Sequence, residues 1–313
     1  MENTEHKNQE IEQKEIKQKH KFLSSGWYDK NYKKLLFIEI ILLVLAIGYL
    51  GYFYSVTGDI MYKDTTLTGG TAISLYTDNV SVSELSNYLS TKLVSGFNVR
   101  TLEDTYSRKI IAVVIESKED AEILKPIIEE YLGYSLDNEN SGIEVTGSSL
   151  SQSFYKDLLR AIVLAFLFMA IVVFVIFKAP TPSLAVIHAA AADIIFTIAF
   201  ANLLSFRIGT AGIAALLMLI GYSVDTDILL TTRVLKRKGE GTVNSRIKYS
   251  FKTGIMMNIT AIIAVTIGYF VSVAPTLKEI FFILAIGIFF DIISTWLGNA
   301  SMIKWYCEKK KIE

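Results

Sequence analysis

Long apolar stretches separated by polar ones dominate this chain, and their lengths predict membrane-spanning helices. A helix needs about 20 apolar residues to cross a hydrocarbon core of about 30 Å. Six stretches reach that length, at residues 35–56, 158–177, 183–204, 209–230, 254–274 and 280–299. Each is too long and too apolar for a core helix of a soluble protein. The pattern therefore predicts a polytopic α-helical membrane protein with six transmembrane helices.

Residues 57–157, between the first and second stretches, follow the shorter periods of a mixed α+β domain. The strands are predicted at Thr71–Tyr76, Phe97–Leu102, Ile110–Ile115 and Ile143–Val145, with a turn through Asp104–Lys109. One helix follows the capping-box pattern Ser81–Glu84, and a second covers Glu119–Tyr131, where Pro126 kinks the helix or marks its true start. The order strand, helix, strand, strand, helix, strand is that of a ferredoxin-like domain.

Composition and charge place the chain in a membrane and orient it. Hydrophobic residues make up 51% of the 313 positions. Lysine and arginine concentrate before the first span, after the second and fourth, and at the end of the chain, which predicts cytoplasmic termini and an external domain at 57–157. The cytoplasmic parts are then an N-terminal tail at 1–34, a basic loop at 231–253 and a basic tail at 300–313. The formal net charge of zero argues against a general nucleic-acid binder.

The ends of the chain add two expectations. The polar segment of 34 residues before the first span predicts an uncleaved anchor, and residues 1–22, rich in Glu, Lys and Gln, predict a solvated tail. The single cysteine, Cys307, forms no intrachain disulfide, so the external domain must be stable through its own core.

Ionisable residues inside the predicted spans are the candidate functional groups. A carboxylate in a spanning helix costs about 2.5–3.5 kcal/mol even on lenient insertion scales. Asp225 lies toward the inner end of the fourth span, Asp193 near the middle of the third, and Asp291 in the inner half of the sixth, while His188 is near the inner end of the third. Buried carboxyl groups without a cationic partner favour the protonated form, which is the behaviour of a proton carrier. The alternative is a hydrogen bond that packs neighbouring spans.

Asp227 is a further candidate, although Asp225 and Asp227 are two residues apart and should point to nearly opposite sides of a helix. Because the segment continues directly into Arg233, Asp227 is expected at the water interface. His188 and Asn258 lie at a comparable depth, so one inner polar cluster is the working hypothesis.

Catalysis finds little support in the sequence. Residues 57–157 contain no histidine or cysteine. We therefore expect no enzyme activity, no metal site and no cofactor. An intramembrane aspartyl protease built on Asp193 and Asp225 is an alternative, since two carboxyl groups that share a proton can activate water. Neither aspartate lies in a tyrosine-aspartate pair or a glycine-x-glycine-aspartate motif, which speaks against it.

Two segments carry a family resemblance. The run Gly221-Tyr222-Ser223-Val224-Asp225-Thr226-Asp227-Ile228-Leu229-Leu230, with Leu67-Thr68-Gly69-Gly70-Thr71 after the first span, resembles the SecF family of protein-export membrane proteins, which work with SecD. The resemblance covers nearly all of the chain after residue 30 and implies the resistance-nodulation-division architecture. It singles out as family-motif residues Gly69, Gly70, Thr71, Gly221, Tyr222 and Ser223.

The chain also departs from the bacterial pattern. Bacterial members usually have an asparagine-aspartate pair where this chain has Asp225-Thr226-Asp227, which is similar to the archaeal form and to SecD. Where bacterial members often have histidine-aspartate, this chain has Ala192-Asp193.

The resemblance implies an auxiliary subunit of Sec-dependent export in the cytoplasmic membrane, in which protonation of Asp225 and Asp193 moves the external domain. Transporters of this type combine two related six-span halves. The implied partners are a SecD-like six-span subunit, the Sec translocation channel, the translocating unfolded polypeptide and the lipid bilayer. Two alternatives stay open: a scaffold that stabilises SecD or the channel without ion coupling, and a lipid or small-molecule exporter.

Overall fold

A computed structural model describes residues 27–77, 80–93, 96–103, 110–237, 239, 241–272 and 274–312. In chain order its elements are α1 Trp27–Thr57, α2 Thr65–Thr68, β1 Gly70–Leu75, α3 Val82–Lys92, β2 Phe97–Glu103, β3 Ile110–Ser117, α4 Ala121–Leu132, β4 Ser141–Thr146, α5 Ser148–Phe177, α6 Pro180–Leu203, α7 Thr210–Lys236, α8 Val243–Val271, α9 Pro275–Ile293, a π-helical turn Ser294–Asn299, and α10 Ala300–Lys310.

Six helical segments are long and apolar enough to cross a membrane, which confirms the predicted number of spans. They are α1, α5, α6, α7, α8 and the continuous segment from α9 to α10. Several helices extend beyond the predicted spans because hydropathy detects only the apolar part of a helix. Thus α5 begins at Ser148, within the predicted external segment. The end of α7 at Lys236 and the start of α8 at Val243 both lie within the predicted basic loop.

The bundle is organised around α6 and α7. Most of the apolar window of α6 is buried, whereas α1, α5 and α8 leave most of their apolar surface open, as helices in contact with lipid do. The core between α6, α7 and α9 contains, among others, Val186, Ala190, Ile194, Leu216, Leu219, Ile220, Ile283 and Ile288. This packing determines which faces of α6, α7 and α9 point toward one another.

The segment between α1 and α5 forms the predicted α+β domain, which we call the sheet domain. All strand pairs are antiparallel and the order is β2-β3-β1-β4, as in ferredoxin-like domains. Leucines of α3 and residues of α4 cover Ile73 and Ile115 in one core. Ser81 is the N-cap of α3 as expected, whereas α4 starts at Ala121 and runs through Pro126, so Pro126 does not mark its start. The predicted turn at 104–109 lies outside the described residues.

Backbone hydrogen bonds attach the sheet domain's entry segment to one end of the bundle, the domain end. Ile208 N donates to the Tyr62 carbonyl at 2.7 Å, and Asp64 N donates to the Ile208 carbonyl at 3.2 Å. At Gly70, where φ is 127° and a Cβ would collide with the Ser117 carbonyl oxygen, only glycine fits. The opposite end of the bundle, the tail end, is where Lys304 bonds Asp29.

Candidate functional site

Three fully buried carboxyl groups meet inside the bundle. They belong to Asp193 of α6, Asp227 of α7 and Asp291 of α9, and each side chain has 0% exposure. Among the described residues no lysine or arginine forms an ion pair with any of them. Hydroxyl and amide groups of α7, α8 and the π-helical turn surround them instead. We call these three residues the acidic cluster.

Asp193 joins three helical segments through its carboxyl group. Ser223 Oγ of α7 donates to Asp193 Oδ2 at 2.5 Å, and Ser294 Oγ of the π-helical turn donates to Asp193 Oδ1. Both carboxyl oxygens are therefore bonded. Because a buried carboxyl group needs such donors, Asp193 couples the position of α6 to those of α7 and α9.

Asp291 connects the cluster to α8. Asn258 Nδ2 donates to Asp291 Oδ2 at 2.8 Å, and Tyr222 OH donates to Asn258 Oδ1 at 3.3 Å. Tyr222 is only partly buried, so this chain of bonds runs from the buried carboxyl toward the outer surface of the bundle between α7 and α8.

Asp227 lies nearest the tail end and shares one donor with Asp291. Thr295 Oγ1 is 2.9 Å from Asp227 Oδ1 and 3.2 Å from Asp291 Oδ1. A hydroxyl has one proton to donate, so Thr295 donates to one of the two carboxyl groups at a time. Asn299 Nδ2 donates to Asp227 Oδ1 at 2.7 Å. The shared hydroxyl gives the cluster two alternative hydrogen-bond arrangements.

Local helix geometry explains why these side chains converge. Ser223 and Asp227 are four residues apart on α7 and share a face. The π-helical turn starts directly after α9, and such turns commonly occur at functional sites. It brings Ser294, Thr295 and Asn299 inward, and all three are fully buried.

The structure reverses the expected locations of the two aspartates on α7. Asp227, expected at the water interface, is fully buried. Asp225 is exposed on the outer face of α7, so the prediction that the two side chains point to opposite sides is correct. Asp193, Asp227 and Asp291 therefore come together, while Asp225 does not join them. The aspartate pair of the protease alternative, Asp193 and Asp225, is not brought together.

His188 forms a separate pair. Its Nε2 is 3.1 Å from Glu39 Oε1 of α1, and the Glu39 side chain is fully buried. This contact ties α1 to α6, and a Cβ at Gly298 would lie 3.2 Å from Glu39 Cδ, so Glu39 also packs against the π-helical turn. A glutamate inside the first span was a visible signal in the sequence, but nothing in the sequence pointed to its partner on a helix so distant along the chain.

The family-motif residues have structural positions near both regions. Ser223 and Tyr222 enter the hydrogen bonds of the acidic cluster. Gly221 is exposed, and a Cβ there would meet no atom within 4 Å. Gly69 and Gly70 both have positive φ, at 78° and 127°, and Thr71 Oγ1 donates to the Glu119 carbonyl at 2.8 Å. These last residues set the entry into the sheet domain.

The arrangement can hold protons without a directly paired cation among the described residues. Desolvation and mutual repulsion oppose the presence of charge on all three of these neighbouring buried carboxyl groups at once. Loss or gain of a proton changes which hydroxyl and amide donors the oxygens need. The chemistry that these carboxyl groups can supply is the binding and release of protons.

Comparisons with known proteins agree with this architecture. Residues 128–309 match the family model described as "Protein export membrane protein SecD/SecF, C-terminal". The chain is 38% identical to the protein-export membrane protein SecF of Methanocaldococcus jannaschii, over 88% of this chain and 96% of that protein. It is 37% identical to SecF of Methanothermobacter thermautotrophicus, over 89% and 94% of the two chains.

A solved structure shows the same fold. The crystal structure of SecDF, a translocon-associated membrane protein from Thermus thermophilus, superposes with a TM-score of 0.70 at 18% identity, covering 90% of this chain. This chain spans 39% of that longer protein. From the extent of the family match and of the archaeal SecF relatives, the chain belongs to the SecD/SecF family of protein-export membrane proteins, on the SecF side of that family.

Proposed function

We propose that this chain acts in protein export as a SecF subunit of the cytoplasmic membrane, pairs with a SecD-like six-span partner, and uses proton binding at the acidic cluster to move its helices. The observation that carries the proposal is the acidic cluster itself. Asp193, Asp227 and Asp291 come from three helices and are fully buried without an ion-paired cation among the described residues. Such groups are rarely present in spans without a use.

Protonation supplies the two states that coupling requires. When Asp227 is ionised it attracts the Thr295 hydroxyl, and when Asp291 is ionised the same hydroxyl turns to Asp291. Ser294 is held by Asp193 in either case. A proton that moves within the cluster therefore shifts the preferred position of the π-helical turn against α7.

The domain end transmits this shift to the sheet domain. Glu279 of α9 accepts from Gly209 N at 2.5 Å and Gly212 N at 2.8 Å, at the start of α7. Thr210 N of α7 donates to Thr66 Oγ1 of α2 at 3.0 Å, just before β1. A relative movement of α7 and α9 must therefore displace the entry of the sheet domain.

The surface around Asp225 supports a partner half. An exposed carboxylate on a spanning helix is costly against lipid. Beside it on α7 and α8 lies a shallow groove of about 650 Å³, lined among others by Tyr222, Lys252, Met256 and Thr260. The groove surface is mainly apolar, and together with the exposed carboxylate of Asp225 it fits a second set of spanning helices that brings polar groups for Asp225. We assign this groove to the SecD-like partner.

The orientation belongs to the same proposal. Positive charge in the short loops favours a cytoplasmic tail end and a sheet domain on the outer side, where an exported chain would emerge. The proposal includes no bond-making step, so the protein acts on conformation alone. The scaffold alternative differs only in that the acidic cluster would then be structural.

Replacement of the chain in cells by single variants tests the proposal. We expect Asp227→Asn to slow export of a Sec-dependent protein although partner and chain accumulate normally. Asp225→Lys, on the proposed partner surface, should instead reduce the amount of SecD-like partner that co-purifies. If Asp227→Asn cells export at the native rate with normal protein levels, the cluster is structural and the scaffold alternative is the better one.

A further inference from the structure

The tail half of the bundle interior contains buried polar atoms that the protein leaves without hydrogen-bond partners. Within the described residues they are Thr226 Oγ1, Asp227 Oδ2, Thr231 Oγ1, Arg246 Nε, Nη1 and Nη2, Trp296 Nε1 and Asn299 Oδ1. They lie on α7, on α8 and on the π-helical turn. Nearly all buried polar groups in proteins are paired with protein or ordered water, so a concentration of unpaired ones requires an explanation.

Arg246 is the most demanding of these groups. Its side chain is 1% exposed, and none of its three nitrogens has an acceptor. A guanidinium group stays charged at any physiological pH and carries five donor hydrogens. It lies in the first turns of α8, after the N-cap Thr242, where the free backbone N–H groups add further positive potential. A buried charge in this position needs polar partners.

The unpaired atoms follow one seam. Arg246, Ser250, Gly254 and Asn258 recur every four residues on α8 and are all buried, so they share the face that points into the bundle. At Gly254 a Cβ would lie 2.5 Å from Trp296 Cζ2 and 3.2 Å from Thr226 Cγ2, so α7, α8 and the π-helical turn meet there. Asn299 is bonded to Asp227 beside this point.

The mixture of groups identifies the ligand. Arg246 and Trp296 offer only donors, Asp227 Oδ2 offers an acceptor, and the threonine hydroxyls offer both. An anion would bind Arg246 but would be repelled by the Asp227 oxygen. A cation would bind the Asp227 oxygen but would be repelled by Arg246. Water donates and accepts, so it alone satisfies both ends. From Gly254 to Arg246 the rise along α8 is about 12 Å, a length that about four waters at ~2.8 Å spacing bridge.

We propose that Thr226, Asp227, Thr231, Arg246, Trp296 and Asn299 line an internal water site that connects the acidic cluster to the tail end of the bundle. Arg246 is then the countercharge of the cluster, acting through water. The seam also gives Asp227 a route for protons on the tail side. This last step rests on the proposed function, whereas the water site itself does not.

Thiol labelling tests the water site without export or a partner. Cys307, the single cysteine of the chain, is first replaced by serine, and Thr231→Cys and Leu230→Cys are made in that background. Both native side chains have 0% exposure and are adjacent in sequence. A small water-soluble methanethiosulfonate reagent then measures access. Because water stabilises the reactive thiolate, we expect the Thr231→Cys thiol to react about 10-fold faster or more than that of Leu230→Cys.

Arg246 variants add a second readout. With Thr231→Cys in place, Arg246→Leu should lower the labelling rate toward that of Leu230→Cys, and Arg246→Lys should keep it high. If Arg246→Leu does not fold, the pair Thr231→Cys and Leu230→Cys still decides the question. Equal, slow rates for that pair would overturn the proposal. A rate that changes when chloride and phosphate are removed would assign the site to an anion and overturn it as well.

The outcome separates this inference from the proposed function. If the thiol labelling shows water in the seam and Asp227→Asn does not change the export rate, the water site is supported and proton coupling is rejected. If the labelling shows no water in the seam and Asp227→Asn slows export, the water site is rejected and protons must reach the acidic cluster by another route.

Discussion

Ser223 of α7 and Asp193 of α6 are joined by a hydrogen bond of 2.5 Å between two fully buried side chains. The bond connects a serine of the family motif to an aspartate of the neighbouring span. It fixes the register of α6 against α7 at the depth where Asp291 also lies. The bond therefore ties the Asp193 carboxyl group to the packing of the central helices.

Loss of this donor should destabilise the fold. In Ser223→Ala the Asp193 Oδ2 atom loses its partner in a dry environment, at a cost of about 1–3 kcal/mol. We expect a lower midpoint in thermal unfolding of the purified protein in detergent micelles. Thr260→Ala is the matched control, since Thr260 is exposed on α8 and its hydroxyl bonds only the Met256 carbonyl in its own helix. A variant as stable as this control would contradict the role given to the bond.

The pair of Glu39 and His188 should behave as a coupled unit. Glu39→Gln leaves His188 with a neutral partner, and His188→Ala leaves the buried Glu39 carboxyl group without this partner, whereas the double variant changes both sides of the interaction. A double-mutant cycle on unfolding free energies should give a coupling of about 0.5–3 kcal/mol. Additive effects within error would show that the 3.1 Å contact does not hold α1 to α6.

Gly254 and Gly221 give opposite predictions for the same substitution. A Cβ at Gly254 would lie 2.5 Å from the Trp296 ring, so Gly254→Ala must push the indole ring aside at a cost of about 1–3 kcal/mol. At Gly221 no atom lies within 4 Å, and alanine in a helix is favoured over glycine by about 0.5–1 kcal/mol. Thermal unfolding of both variants should therefore shift in opposite directions. A rise for Gly254→Ala would contradict the close packing of Trp296 on α8.

Asp64, outside the spans, predicts a pH dependence. Burial raises the pKa of Asp64 above its ordinary value, and hydrogen bonds from Thr66 oppose the shift in part. Because the pKa is raised, the folded state holds this proton at pH values above the unfolded pKa of about 3.9, where the unfolded state has lost it. The contribution of Asp64 to folding stability therefore falls as the pH rises through the folded-state pKa. Asp64→Asn removes this loss and keeps an N-cap residue for α2.

The measurement is thermal unfolding of the native chain and Asp64→Asn across the range of pH from about 4 to 8. The native chain should lose stability relative to the variant as pH rises. A difference that stays constant, or that grows in favour of the native chain, would show that Asp64 ionises freely in the folded protein.

Much of the fold was predictable, because helix length and strand order follow from local patterns. The spans at 183–204 and 209–230 lie almost wholly within α6 and α7, and the ferredoxin-like order is confirmed by the strand pairing. The N-terminal ends of α5 and α8 were not predictable, because both helices begin with polar residues that precede the apolar stretch. Hydropathy carries no information about such extensions.

The candidate site was predictable by residue type but not by orientation. Asp193 and Asp291 were singled out from the cost of a carboxyl group in a span, and both are buried. The choice between Asp225 and Asp227 depended on which face of α7 turns inward, and the tertiary packing of α6 and α9 decides that. Ser294, Thr295 and Asn299 were missed because serine, threonine and asparagine in a span are common and carry no charge to attract notice.

Export into inverted membrane vesicles tests the central claim most directly. We compare the export rate of vesicles that contain the native chain, Asp193→Asn or Asp157→Asn, with and without an imposed proton gradient. The level of the SecD-like partner is matched in all of them. Asp157 is exposed and paired with Arg160 at 2.8 Å, so it serves as a control for loss of a carboxylate. We predict that the gradient speeds export with the native chain and Asp157→Asn but not with Asp193→Asn. Equal stimulation of all three would contradict proton coupling at the acidic cluster.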